Sequence, residues 1–169
     1  MNIEKFILKF VNFFNLNRKI IQRNGDKYLT RYYVFRKPVK WMPSIYIHCF
    51  HRGDEDTSSS GNYVLHSHPW DLSFSLILSG SYVEERLIST KIKTRVFNPG
   101  NINIIAANDF HRVDTLTPKV WTLFLSGSKT QDWGFIDPIT NEYTQWEEFT
   151  KNKRLITKTT SEGQWTTQN

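Results

Sequence analysis

Two histidines set two positions apart, His66 and His68 in Leu65-His66-Ser67-His68, are the residues in this chain whose spacing most directly suggests chemistry. On an extended strand, side chains alternate faces, so both imidazoles project to one side and reach toward one point. Converging neutral imidazoles suit a divalent ion of Fe, Ni, Cu, Zn or Mn. A metal site needs at least a third donor. His111, in Asn108-Asp109-Phe110-His111-Arg112-Val113, is the best candidate, because it falls on a later strand-like stretch that can pair nearby. Of the two remaining histidines, His48 shares a strand face with Tyr46 and Phe50, which makes it a candidate for contacting a substrate or orienting a metal ligand. His51 opens onto a loop.

Tyr82, Glu84 and Arg86 also share one strand face. Pointing inward, such a row costs desolvation energy unless it serves a polar ligand; pointing outward, it is a salt-bridged surface row. Both readings stand, and Tyr82 and Arg86 join His48 as candidate catalytic residues. Asp71, in His68-Pro69-Trp70-Asp71, follows a proline that bends the chain and is read as a loop residue or one that orients a ligand, ahead of a direct ligand. Trp70, Trp121 and Trp133 supply bulk near the expected mouth of the site.

These residues need a scaffold of strands. From Lys27 onward the chain consists of short apolar or alternating stretches rich in β-branched and aromatic residues, separated by Gly, Pro, Asn, Asp and Ser. Strands are expected near 28–36, 44–51, 63–68, 72–79, 81–88, 91–97, 101–105, 110–114, 120–126 and 133–136. Many strands without intervening helices indicate a sandwich or barrel. Asn98-Pro99-Gly100-Asn101 reads as a tight turn, with Pro fixing one central dihedral and Gly accepting positive φ at the next. Residues 52–62 form a polar loop leading into the histidines. Ahead of the strands, Ile3, Phe6, Ile7, Phe10, Phe13 and Phe14 recur at helical spacing opposite Glu4, Lys5, Lys9 and Asn12, the pattern of an amphipathic helix over 3–16. The expected organisation is a helix within 1–22 packed on the barrel, a barrel over 23–150, and a flexible tail over 151–169.

Two motifs resemble those of the cupin superfamily. Gly61-x4-His66-x-His68 followed by Gly80 is similar to the first cupin motif, and Asn98-Pro99-Gly100 through His111-Arg112-Val113 to the second. The resemblance covers residues 61–113 and implies an all-β fold: a cupin-type double-stranded β-helix, or jelly roll, holding one metal on His66, His68 and His111. The chain departs from the pattern where the first motif supplies a glutamate ligand, because that place is taken by Ser73. Three histidines without a carboxylate resemble the cysteine dioxygenase branch, although that branch's catalytic His and Tyr would fall on Phe124 and Ser126, which argues against thiol oxidation. A closer resemblance, over roughly residues 29–149, is to small uncharacterised cupin-like proteins, many encoded by phages and other viruses. It runs through Ile47-His48-Cys49-Phe50, His66-Ser67-His68-Pro69-Trp70, Ser79-Gly80-Ser81-Tyr82 and Trp133-Gly134-Phe135.

Composition bounds the function. At 169 residues there is room for one domain, and twelve Phe, seven Tyr and six Trp give it large rings to bury. The +6 formal charge is spread along the chain, with neither a zinc knuckle nor a basic aromatic repeat to argue for nucleic acid. A single cysteine, Cys49, fits a reducing compartment, and no apolar run reaches bilayer length, so a cytoplasmic setting is expected, the host's if the protein is viral. The leading expectation is a dioxygenase-like oxidoreductase acting on a small polar substrate, with Fe(II) favoured and Zn, Mn or Ni as alternatives. A Lewis-acid isomerase or hydrolase on the same metal and a non-catalytic module that binds or sequesters a small molecule are the competing readings. A homodimer covering the sheet edges is also expected.

Overall fold

In the computed structural model, the described residues are 3–23, 26–34, 43–151, 157–159 and 165–167. The chain runs α1 (Ile3–Phe13), β1 (Arg18–Arg23), β2 (Asp26–Tyr33), β3 (Ser44–Phe50), β4 (Leu65–His66), β5 (Leu72–Ser79), β6 (Tyr82–Ile88), β7 (Lys91–Phe97), β8 (Ile102–Ala106), β9 (His111–Thr115), β10 (Val120–Ser126), β11 (Gly134–Ile136), β12 (Tyr143–Gln145), α2 (Trp146–Lys151), β13 (Thr157–Thr159) and β14 (Trp165–Thr167). The strands form two antiparallel sheets. One has the order β14-β13-β1-β2-β3-β10-β5-β8, the other β12-β11-β4-β9-β6-β7. Consecutive hairpins such as β1-β2-β3 and β6-β7 alternate with pairings between strands distant in sequence, β3-β10-β5-β8 in one sheet and β11-β4-β9-β6 in the other, as in a jelly roll.

Strand alternation decides what enters the interior. On β5 the buried positions are Ser73, Ser75 and Ile77; on β8 they are Asn103 and Ile105. Ile77 from one sheet meets Tyr82, Phe97 and Val113 from the other, with Val120, in the core between the sheets. A second core lies on the outer side of the eight-stranded sheet, where Ile7 and Val11 of α1 cover Tyr32, Ile47, Cys49 and Trp121. Ile7 and Val11 are one turn apart, so one stripe of the helix is buried. Two turns rely on glycine: Gly100 (φ 89) completes the Pro99-Gly100 turn, with Asn101 N donating to Asn98 O at 2.9 Å, and Gly80 (φ 76) joins β5 to β6.

Several elements differ from the sequence reading. The helix ends at Phe13 rather than residue 16, because Asn15 adopts a left-handed conformation (φ 44). Asn15 N then donates to Asn12 O and Leu16 N to Val11 O, each at 3.0 Å, closing a Schellman cap. Val11, absent from the expected apolar stripe, is buried, whereas Phe6 and Phe13 are 51% and 83% exposed. Residues 18–22, expected within the N-terminal helical segment, belong to β1, and 146–150, read as barrel, belong to α2, which ends at Lys151. Most of the expected tail lies outside the described residues; inside it, β13 pairs with β1 and β14 with β13. Among the described residues, no helix is long and apolar enough to cross a membrane.

Candidate metal centre

β4 is only two residues long, but its register builds the site. His66 lies directly opposite His111 across the β4–β9 ladder, and cross-strand partners hold their Cβ atoms roughly 5 Å apart. His68 falls just beyond the end of β4, where Pro69 stops further pairing. Its neighbour Ser67 keeps the chain extended by exchanging hydrogen bonds with Gly134, through Ser67 N to Gly134 O (3.0 Å) and Gly134 N to Ser67 Oγ (3.2 Å). His68 therefore stays on the same side as His66. One ring nitrogen from each of His66, His68 and His111 lies within 4.8 Å of the others, and His68 Nε2 is 2.8 Å from His111 Nε2.

A carboxylate stands behind two of the three rings. Glu84 Oε1 is 2.6 Å from His111 Nδ1, and Asp54 Oδ2 is 3.8 Å from His66 Nδ1. Burial works to raise the Glu84 pKa, but hydrogen bonds from His111, Arg86 and Asn103 outweigh it and hold the carboxyl down at about 2. Ionised Glu84 accepts the Nδ1–H of His111, which leaves the His111 Nε2 lone pair facing the other imidazoles. Asp54 is held by the hydroxyl of Tyr28 and by Val113 N, which donates to Asp54 Oδ2 at 2.8 Å. Burial drives the His68 pKa well below its ordinary 6.5, aided by His66, His111 and the charge of Arg31, so His68 is a neutral donor. Three imidazoles, one neutral by burial and one fixed in tautomer by an ionised carboxylate, fit a divalent transition metal.

The cluster lies on a cavity of about 900 Å³. His68 stacks on Trp70 (ring centroids 5.6 Å), Trp70 packs edge-on against Phe124 (5.8 Å), and Phe124 stacks on His48 (5.0 Å), forming an aromatic wall.

The other sequence candidates divide. His48 lines the cavity, with burial and then Arg31 holding its pKa well below 6.5. Tyr82 also lines it, its phenol pushed up to about 12 by burial. Arg86 points into the protein instead, locked by Glu84 (2.9 Å), Asn103 (2.8 Å), Asp109 (2.9 Å) and the carbonyl of Ile104 (2.9 Å). The Tyr82-Glu84-Arg86 row thus begins inside and ends in a salt-bridge network. Asp71 is an exposed loop residue whose Oδ1 accepts from Leu72 N at 2.7 Å. Ser73, at the place of the cupin glutamate, is fully buried beside Ser126 in the sheet. Sequence reasoning missed Asp54, Arg31 and the orienting role of Glu84. For Glu84 the signal was its inward face on β6; Asp54 is placed by a long loop, where no strand or helix period marks its direction.

No protein-family model matches the chain, and no curated protein matches its sequence. Among solved structures it is similar to Bacillus subtilis oxalate decarboxylase variants, one at 13% identity and TM-score 0.50 over 66% of this chain and 29% of that one. It is also similar to the hydroxypropylphosphonic acid epoxidase of S. wedmorenis, at 12% identity and TM-score 0.46 over 64% of this chain and 55% of that one. This chain therefore spans about half of the epoxidase and under a third of the decarboxylase. The two facing antiparallel sheets, with the likeness to the decarboxylase, make the fold a cupin-type jelly roll with an N-terminal helix.

Proposed function

We propose that this protein is a metal-dependent, dioxygenase-like oxidoreductase that holds one divalent ion, Fe(II) in the favoured case, on His66, His68 and His111. The observation that carries the reading is the convergence of three ring nitrogens within 4.8 Å on the wall of a 900 Å³ cavity. When bound, a redox-active ion supplies the one-electron chemistry that lets dioxygen react with an organic molecule. The chain's own residues do the rest. Glu84 fixes the tautomer and ring angle of His111, and such partners sustain metal affinity. Burial keeps His68 neutral and able to donate its lone pair. Trp70 and Phe124 exclude water from one side, which strengthens electrostatic interactions at the reacting atoms. Tyr82, with its phenol protonated, presents a hydroxyl to the cavity as a candidate donor to substrate.

The test is elemental mass spectrometry of protein purified without a histidine tag, for wild type, His66→Ala and His111→Ala, together with oxygen-consumption screens. Near-stoichiometric iron lost in both variants supports the reading. Zinc, nickel or manganese lost in the same pattern replaces it with Lewis-acid chemistry at the same residues, and absence of metal from aerobic and anaerobic preparations overturns it.

A further inference from the structure

Across the inner face of the eight-stranded sheet, one register row carries three basic residues. Lys19 on β1 lies opposite Arg31 on β2, and Arg31 lies opposite His48 on β3. All three line the cavity that holds the histidine cluster. Like charges directly opposite each other in a sheet are destabilising, and burial and Arg31 together lower the Lys19 pKa. Among the described residues, no carboxylate pairs with either cation. The acids on the cavity lining are Asp54, held by Tyr28 and Val113 N, and Glu147 on α2.

Arg31 is nevertheless aimed. Its Nε donates to His48 Nε2 at 2.9 Å, and its guanidinium lies over the Tyr46 ring, 4.9 Å from the centroid. Because His48 is uncharged it can accept that bond, and the two terminal nitrogens of the fork remain for another acceptor. A planar fork fixed at its Nε is preorganised for the two oxygens of a carboxylate or phosphate. The same Arg31 acts on His68 electrostatically, and Phe124 bridges the two ends, 5.0 Å from His48 and 6.4 Å from His68 between ring centroids.

We propose that Arg31 and Lys19 bind the acidic group of a small organic anion, carboxylate or phosphate, whose body lies along Phe124 and Trp70 toward the three histidines. This rests on the reading of that cavity as the substrate site and names its substrate class. His48 is a positioning residue that holds the guanidinium.

The test is calorimetric titration of the purified protein with benzoate, phenyl phosphate and neutral benzamide, with the metal content of each sample measured in parallel. At least one of the two anions binds and benzamide does not. Arg31→Gln weakens that binding at least about tenfold, Lys19→Gln weakens it less, and Lys93→Gln on β7 leaves it unchanged. Arg31→Lys, which keeps the charge but loses the fork, falls between wild type and Arg31→Gln, and guards against a misfolded Arg31→Gln. Which of the two anions binds identifies the acidic group. Anion binding through Arg31 in metal-free protein leaves this proposal standing and removes the metal reading. Metal-bearing protein that binds the anions no better than benzamide, or that binds them equally well as Arg31→Gln and Arg31→Lys, overturns this proposal alone.

Discussion

His66 and His111 face each other as direct partners in the β4–β9 ladder, with ring centroids 4.7 Å apart, although 45 positions separate them in sequence. That single pairing turns a His-x-His strand end into a three-donor cluster, because His68 follows His66 on the same side. The carboxylate behind His111 arrives by the same logic, since β6 pairs with β9 and Glu84 lies opposite Val113, two positions along from His111.

Glu84→Gln tests the orienting carboxylate. It removes the charge that holds the His111 Nδ1 proton and leaves Arg86 with one acidic partner fewer. Metal affinity is expected to fall by roughly tenfold or more, read by competition with a chromophoric chelator. The melting temperature falls as well. Unchanged affinity would show that His111 needs no such partner.

His51 makes stability depend on pH. Burial, then Lys27 and Lys119, lower its pKa to about 4, with Glu4 opposing them, and its Nε2 lies 2.9 Å from the Thr30 hydroxyl. The folded-state value lies below the unfolded value of about 6.5, so the unfolded chain binds the proton first. The contribution of neutral His51 is therefore fully present above pH about 6.5 and is lost as pH falls from there toward 4. Urea midpoints across this range should fall less steeply for His51→Asn than for wild type.

Two glycines of positive φ should differ in how much they tolerate. At Gly80 a Cβ would stand 2.2 Å from the carbonyl oxygen of Lys119, whereas at Gly100 it would meet nothing within 4 Å. Gly100→Ala carries the backbone strain alone, about 1 kcal/mol. Gly80→Ala adds a clash with backbone that cannot move cheaply, and costs roughly 3 kcal/mol or more. Denaturant unfolding of both variants measures the difference, and equal costs would contradict the packing of the β5–β6 turn on Lys119.

The sequence by itself determined the periodic features. Alternation on β3 put Tyr46, His48 and Phe50 on the face opposite Ile47 and Cys49, and the first three line or adjoin the cavity while Ile47 and Cys49 pack beneath α1. The Pro99-Gly100 turn and the two-residue spacing of His66 and His68 were legible for the same reason: local geometry follows from neighbouring residues. Only the tertiary structure decided which strands pair, and with them the chemistry. The cap at Asn15 that frees 18–23 to become a strand, the loop that carries Asp54 to His66, and the row joining Lys19, Arg31 and His48 all depend on contacts between distant segments. Such contacts leave no period in the sequence, because they are set by strand order and register across the sheet rather than by residue spacing along the chain.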